Sequence, residues 1–144
     1  PALDADGWFH SGDLAVKNER GFFRITGRIK DIIIRGGENL NANQLEANLS
    51  HCPEIAEHAV VGMPDERLGE RICAFVTLKP NVTELTHASL LHYLSYREVP
   101  KWQWPERLEV VESLPKTDSG KIKKYVLRET ITALLAKEKG GLYE

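Results

Sequence analysis

The chain has 144 residues, 42% hydrophobic and 28% charged, a composition typical of a globular protein rather than a disordered one. A formal net charge of −2 argues against a nucleic-acid partner. The sequence shows no apolar run near the roughly 20 residues of a membrane span, and no signal-peptide pattern. We therefore expect a cytoplasmic protein without a transmembrane segment, and leave open a peripheral association with membranes.

The charge is distributed unevenly along the chain. Residues 115–139 carry seven Lys or Arg against three acids, whereas residues 1–114 carry 12 against 17. Cys52 and Cys73 form no CxxC pair, and the five histidines show no HExxH spacing. This pattern argues against a zinc site or a disulfide framework, so we predict no metal site and a reducing compartment.

The first predicted element is an antiparallel hairpin. Two short β-prone runs, 14–16 and 22–25, flank Gly21, which suits a turn that needs a positive φ. Residues 27–31 then combine a glycine with a charged cluster, a composition that suits a joint. The apolar run 32–34 is predicted to be a buried strand that stops at Arg35-Gly36-Gly37.

Helices and strands alternate along the rest of the chain. In chain order the sequence predicts a helix capped by Asn41 or Asn43, strands at 59–61 and 71–78 around a polar turn at 64–69, a helix capped by Thr86, an aromatic loop at 102–105, a strand at 108–111, and a helix over 123–137 closed by Gly140 and Gly141. This order predicts an α+β fold, in which helices pack on a small mixed or antiparallel sheet that follows a β-hairpin.

Ser11-Gly12-Asp13 is the first of three polar, glycine-containing clusters between predicted elements, where functional residues concentrate. The carboxylate of Asp13 can accept two hydrogen bonds from a vicinal diol, as carboxylates do for ribose. An aspartate in a turn more often bonds its own backbone, and the residues alone leave both interpretations open.

The second cluster joins residues 27–31 to residues 35–39. Two adjacent glycines, Gly36 and Gly37, allow a ligand to approach the backbone closely. Arginines at positions 28 and 35 suit a phosphate. The alternative is a tight strand-to-helix turn with surface charges.

The third cluster, residues 115–121, resembles the end of a phosphate-binding P-loop. Pro115 stands where that motif needs glycine, and Ile122 replaces its Ser or Thr, so the P-loop interpretation fails. What remains is a flexible loop presenting Lys121, whose ammonium can neutralise charge on a carboxylate or phosphate oxygen. The alternative is an ordinary surface lysine. Trp102 and Trp104 either stack on a purine or cover the core.

In this order and spacing, the clusters resemble the C-terminal motif series of the adenylate-forming superfamily, which includes acyl-CoA synthetases, adenylation domains of peptide synthetases and beetle luciferases. Residues 7–14 resemble its GW[FY]xTGD motif, and residues 27–31 its GRxKD hinge motif. Residues 36–39 resemble the loop that follows the hinge, and residues 114–122 the LPKTxxGKI motif.

The resemblance implies an enzyme that activates a carboxylic acid with ATP to an acyl-adenylate and then passes the acyl group to coenzyme A. A short- to medium-chain fatty acyl-CoA synthetase fits best. Two alternatives stay open, namely an adenylation domain serving a carrier protein or an aryl-acid ligase, and a standalone non-catalytic binding module.

The resemblance also implies a role for individual residues. Asp13 would hold the ribose hydroxyls and Arg28 would assist with the nucleotide, while Lys30 would be the hinge. Lys121 would contact the α-phosphate and carboxylate oxygens during adenylation. After rotation about the hinge, the pantetheine channel of coenzyme A would be lined by Gly36, Gly37 and Glu38.

The family pattern further implies two domains. Residues 1–29 would be the hairpin end of a large N-terminal domain, together with the hinge, and residues 30–144 a mobile C-terminal domain. The phosphate-binding loop, the acyl pocket and most contacts to the Mg²⁺ that accompanies ATP would belong to that N-terminal domain, its partner. We therefore expect the chain alone to be inactive.

Two positions depart from the family pattern. Gln103 stands where some acyl-CoA synthetases have a lysine that meets a phosphate of coenzyme A, and Leu68 stands where others have arginine. Both departures argue against carrying these phosphate contacts over to this chain.

Overall fold

A computed structural model describes residues 3–140, and its first element is the predicted hairpin. Strands β1 (Asp13–Lys17) and β2 (Phe23–Arg28) pair antiparallel as a separate two-stranded sheet. The side chain of Asn18 closes the turn, since its Oδ1 accepts hydrogen bonds from the backbone N–H groups of Arg20 and Phe22.

A second, five-stranded sheet forms the body of the described structure. Its strands are β3 (Ile32–Arg35), β4 (Glu38–Asn41), β5 (Ile55–Asp65), β6 (Gly69–Leu78) and β7 (Arg107–Val110). The order is β4-β3-β6-β5, and β7 pairs with β6. The β6–β7 pair is parallel and the other pairs are antiparallel, which confirms the predicted mixed sheet.

Three α-helices lie within residues 3–140, namely α1 (Ala42–Leu49), α2 (His87–Tyr96) and α3 (Lys124–Gly140). Both predicted caps are confirmed, because Asn41 Oδ1 accepts from Asn43 N and Thr86 Oγ1 accepts from Ser89 N. Helix α3 includes Gly140, so it is longer than predicted, and Gly141 lies outside the described residues. None of these helices is long and apolar enough to cross a membrane.

Side chains of β6 alternate between two hydrophobic clusters on opposite faces of the sheet. Ile72, Ala74 and Val76 pack with α1 and α2, whereas Cys73 and Phe75 pack with α3. All five are buried, so the strand predicted over residues 71–78 is covered on both faces. A large apolar side chain buried in this way contributes about 1.5–3 kcal/mol to stability.

Strand β4 corrects the sequence interpretation of residues 36–39 as a loop before a helix. Gly36 and Gly37 form the two-residue turn of a β3–β4 hairpin, and their φ values of +59° and +86° suit glycine. Glu38 therefore opens a strand. The sequence did not indicate this strand, because its other residues are polar and Leu40 is the one residue of β4 that is buried.

Candidate functional site

Asp13 and Arg28 lie opposite each other in the β1–β2 register. Arg28 Nε donates to Asp13 Oδ1 at 3.1 Å, and Arg28 is half-exposed. An ion pair of this kind contributes about 0–1 kcal/mol, so a ligand can displace it at little cost. The hairpin thus places a carboxylate beside a guanidinium, groups that suit a ribose diol and a phosphate.

Lys30 lies in a short 3₁₀ turn, Ile29–Asp31, between the hairpin and β3, with its side chain exposed. Its carbonyl accepts a hydrogen bond from Arg128 Nη1 of α3 at 3.4 Å, and the Arg128–Asp31 distance is 3.7 Å. The predicted joint is therefore linked to α3 in this conformation.

Gly27 lies so close to Asn41 that an added Cβ would come within 2.5 Å of Asn41 Nδ2. The same Asn41 amide donates to the Thr26 carbonyl. Only glycine permits this approach between the hairpin and the body. This contact with the Asn41 side chain explains the residue type at position 27 without reference to a ligand.

The Gly36-Gly37 turn (residues 36 and 37) is exposed and fixed at its base. Gly36 N donates to the Leu68 carbonyl at 2.8 Å, which ties it to the β5–β6 turn. A Cβ added at Gly37 would meet no atom of the described residues within 4 Å. Arg35 forms an ion pair of its own, since its Nε lies 2.6 Å from Glu106 Oε1.

The Lys121 loop (residues 115–123) presents an exposed lysine on a backbone closed by hydrogen bonds. Thr117 N donates to the Lys121 carbonyl at 2.8 Å, and Lys121 N donates to Thr117 Oγ1 at 3.1 Å. Lys116 and Ile122 form an antiparallel bridge at the base. The sequence suggests a flexible loop, but these bonds give it a defined shape.

The two loops lie at opposite ends of β5. Arg35, next to the Gly36-Gly37 turn, pairs with Gly69 at the β5–β6 turn. Lys116, at the base of the Lys121 loop, forms an ion pair with Glu57 near the other end of β5. From residue 57 to residue 65 a strand rises about 26 Å. One domain therefore carries two exposed motif loops that do not share a surface.

Residues 101–105 separate into exposed and structural positions. The Trp104 indole donates to the Val99 carbonyl at 2.8 Å and packs against the core. Gln103 is buried and accepts from Asn48 Nδ2 at 2.8 Å, so it supports α1 rather than reaching outward. Trp102 is exposed and borders a depression beside Glu38. The sequence alone does not distinguish the exposed Trp102 from the packed Trp104.

The two cysteines are buried, which excludes a reactive thiolate. Burial raises the pKa of Cys52 to about 11 and that of Cys73 to about 12, so both thiols stay protonated near neutral pH. Cys73 is a small core residue. Residues 3–140 contain no group of three or more His, Cys, Asp or Glu placed to hold a metal ion.

The hairpin, the mixed sheet and the two separated loops define a small domain of the adenylate-forming enzymes, as solved structures show. ATP-bound MatB from Rhodopseudomonas palustris matches 92% of this chain with a TM-score of 0.79 and 34% identity. The o-succinylbenzoate CoA synthetase MenE from Bacillus subtilis matches 88%, with a TM-score of 0.75 and 30% identity. The chain covers 26% and 25% of these structures respectively.

Residues 44–121 match the family model of the AMP-binding enzyme C-terminal domain, and the chain belongs to that family. It is 46% identical over 137 residues to a medium-chain fatty-acid–CoA ligase of Escherichia coli K12, and 47% identical over 141 residues to acetate–CoA ligase CCL3 of Humulus lupulus. The alignments cover 95% and 96% of this chain and 24% of each relative. The chain thus spans about a quarter of the length of these relatives, and the resemblance inferred from its motifs is confirmed.

Proposed function

We propose that this chain is the C-terminal part of an ATP-dependent, AMP-forming acyl-CoA synthetase that acts on a fatty or similar carboxylic acid. The observation that carries the proposal is the placement of exposed Lys121 and the exposed Gly36-Gly37 turn at opposite ends of β5. Two consecutive reactions at one site need different groups, and a rotating domain can supply each in turn. The names of the ligases similar to this chain support the same class.

In the first reaction, a carboxylate oxygen attacks the α-phosphorus of ATP and pyrophosphate leaves, which yields an acyl-adenylate. Asp13 accepts hydrogen bonds from the ribose hydroxyls, and Arg28 stabilises negative charge on the nucleotide. The Lys121 ammonium neutralises charge that develops on the carboxylate and α-phosphate oxygens. A contact of this kind is worth about 3 kcal/mol in the transition state.

In the second reaction, the thiol of coenzyme A attacks the acyl carbonyl and AMP leaves, which yields a thioester. The Gly36-Gly37 turn has no side chains, so its backbone can border the pantetheine arm closely. Glu38 and Trp102 line an adjoining depression of about 430 Å³. The exposed Trp102 indole offers an aromatic face on which the adenine of coenzyme A stacks.

The hairpin supports a division of the chain at Lys30. Within residues 3–29, large apolar side chains are exposed to an extent that isolated soluble domains avoid. Those more than half exposed are Leu3, Trp8, Phe9, Val16, Phe22, Phe23, Ile25 and Ile29. In our proposal they pack on a preceding larger domain, which also contributes the phosphate loop, the acyl pocket and the contacts to Mg²⁺, and residues 30–144 rotate about Lys30.

The test is ATP–pyrophosphate exchange with short- to long-chain fatty acids, measured for this chain and for the longer protein that contains it. We expect exchange by the longer protein alone. Robust exchange by the isolated chain would contradict the assignment of the ATP and acyl sites to a preceding domain.

A second assay tests whether the acyl group is transferred to coenzyme A or to a carrier protein. The longer protein is supplied with acid, ATP and free coenzyme A, and the acyl-CoA product is measured by mass. Adenylation without acyl-CoA favours a carrier-protein enzyme, and absence of both products from every acid tested favours a non-catalytic module.

A further inference from the structure

Lys124 is the first residue of α3 and lies three positions after Lys121. Its Nζ is 2.7 Å from Oε1 of Glu46 in α1, and their side chains are only 15% and 19% exposed. The same Glu46 oxygen accepts a hydrogen bond from Val60 N of β5 at 2.8 Å. One carboxylate therefore holds the start of α3 against both α1 and the sheet.

The Lys121 loop directly precedes Lys124 and is closed by its own hydrogen bonds. Lys123 N donates to the Pro115 carbonyl at 2.8 Å, and Thr117 N donates to the Lys121 carbonyl at 2.8 Å. Because these bonds join both sides of the loop next to the first turn of α3, a change in the position of that turn loosens them. A shift at Lys124 therefore reaches the Lys121 ammonium.

A second ion pair, Lys116–Glu57, holds the other side of the loop, but its side chains are 38% and 43% exposed. Solvent-exposed pairs are screened and contribute little to stability. Removing one partner of a shielded pair leaves a charge without its counter-ion and has a larger effect. The two pairs flank the same lysine and differ in burial.

We propose that the Glu46–Lys124 ion pair is a positioning pair that sets the Lys121 ammonium for adenylation. The inference rests on the proposed function, since that function gives Lys121 its role. Neither Glu46 nor Lys124 is assigned a substrate contact. Their contribution is the placement of a charge-stabilising group, and misplacement of such a group by about 1 Å can cost about 100-fold in rate.

The experiment uses the longer protein that contains this chain and compares Lys124→Met, Lys124→Arg and Glu57→Gln. Lys124→Met removes the charge and leaves the Glu46–Val60 bond available. We expect it to lower the kcat of ATP–pyrophosphate exchange at least tenfold, with the KM for ATP unchanged. Lys124→Arg restores the charge and should stay within about threefold of the parent, as should Glu57→Gln, the matched exposed control.

Thioester formation from supplied acyl-adenylate distinguishes a positioning role from a merely structural one. A general structural defect would lower this rate as well as the adenylation rate. Lys124→Met should leave that rate within about twofold, because the Gly36-Gly37 turn lies at the other end of β5. Equal losses in both reactions, or a loss of the same size in Glu57→Gln, would overturn the positioning role. Should Lys124→Met not fold, Glu46→Gln retains an acceptor for Val60 N and serves in its place.

A parallel measurement of Lys121→Ala keeps this inference separate from the proposed function. If Lys121→Ala cripples exchange and Lys124→Met does not, the positioning role is wrong and the proposed function stands. If Lys121→Ala itself leaves exchange unchanged, the proposed function is wrong.

Amide hydrogen exchange adds a readout independent of activity. In this chain, Lys124→Met should speed exchange at Thr117, Gly120 and Lys121, whose N–H groups close the loop. Glu57→Gln should change it less. Unchanged protection in Lys124→Met would overturn the inference.

Discussion

The Lys121 loop and the Gly36-Gly37 turn are both short, exposed and glycine-containing, yet they present different chemical groups to a ligand. The Lys121 loop is closed by side-chain and backbone bonds and presents a cation. The Gly36-Gly37 turn presents bare backbone with open space around Gly37. In the proposed function, this difference lets one small domain supply charge to adenylation and open space to thioester formation, provided that it rotates between the two reactions.

The largest expected effect comes from removing the positive charge of Lys121, which the Gly36-Gly37 turn lacks. Lys121→Ala in the longer protein should lower the rate of ATP–pyrophosphate exchange at least ~100-fold, because one charge-stabilising contact is worth about 3 kcal/mol. Thioester formation from pre-made acyl-adenylate should be spared. Equal losses in both assays would mean that Lys121 has a different role.

The next effect comes from filling the open space at the turn. Gly37→Phe should lower the rate of thioester formation about tenfold, equivalent to about 1.4 kcal/mol, and spare adenylation. Gly37→Ala is the matched control, since it shares the cost of a positive φ but adds little volume. If Gly37→Ala lowers the rate of thioester formation as much as Gly37→Phe does, backbone strain rather than side-chain volume is responsible for the loss.

A smaller effect is expected at Trp102, and it tests whether the adenine of coenzyme A stacks beside the Gly36-Gly37 turn. Trp102→Ala should raise the KM for coenzyme A about fivefold, because stacking on a base is worth about 1 kcal/mol or more. The KM for ATP in the exchange assay should not change. Trp102→Phe keeps an aromatic face and should retain most of the affinity, and failure of that rescue would argue against stacking.

The smallest effect concerns the stability of the region that supports the Lys121 loop. Burial lowers the pKa of His58, which lies near Glu46 and Lys124, below its usual value of about 6.5. The unfolded chain therefore binds a proton more readily, so this contribution is present above about pH 6.5 and lost as the pH falls. Urea unfolding at pH 7.5 and 5.5 measures it, and His58→Gln should reduce the difference. An unreduced difference would assign the pH dependence to other groups.

Local patterns carried much of the fold prediction. The strand over residues 71–78, the Asn41 and Thr86 caps and the Gly21 turn depend on neighbouring residues, and all are found in the structure. Strand β4 was missed because its polar residues show no alternation. A glycine pair between two short runs is a hairpin signal, and it could have indicated the strand.

The pairing of distant charged residues could not be predicted from the sequence. Glu46 and Lys124 are 78 positions apart, and nothing in either local pattern indicates the other. The same holds for Arg35 with Glu106, and for Gln103, whose amide supports α1. Arg35, which the sequence alone offers as a phosphate contact, is instead used to hold elements together.

The sequence by itself determined the residue types of the motifs, their order and the family to which they belong, because those depend on spacing along the chain. Tertiary structure alone decided that Asp13 meets Arg28 and that Lys121 and the Gly36-Gly37 turn lie at opposite ends of β5. It also decided which lysine is exposed and which is held in a shielded ion pair. The physical reason is that strand register and helix packing set distances between residues far apart in sequence, and charge interactions depend on those distances and on burial.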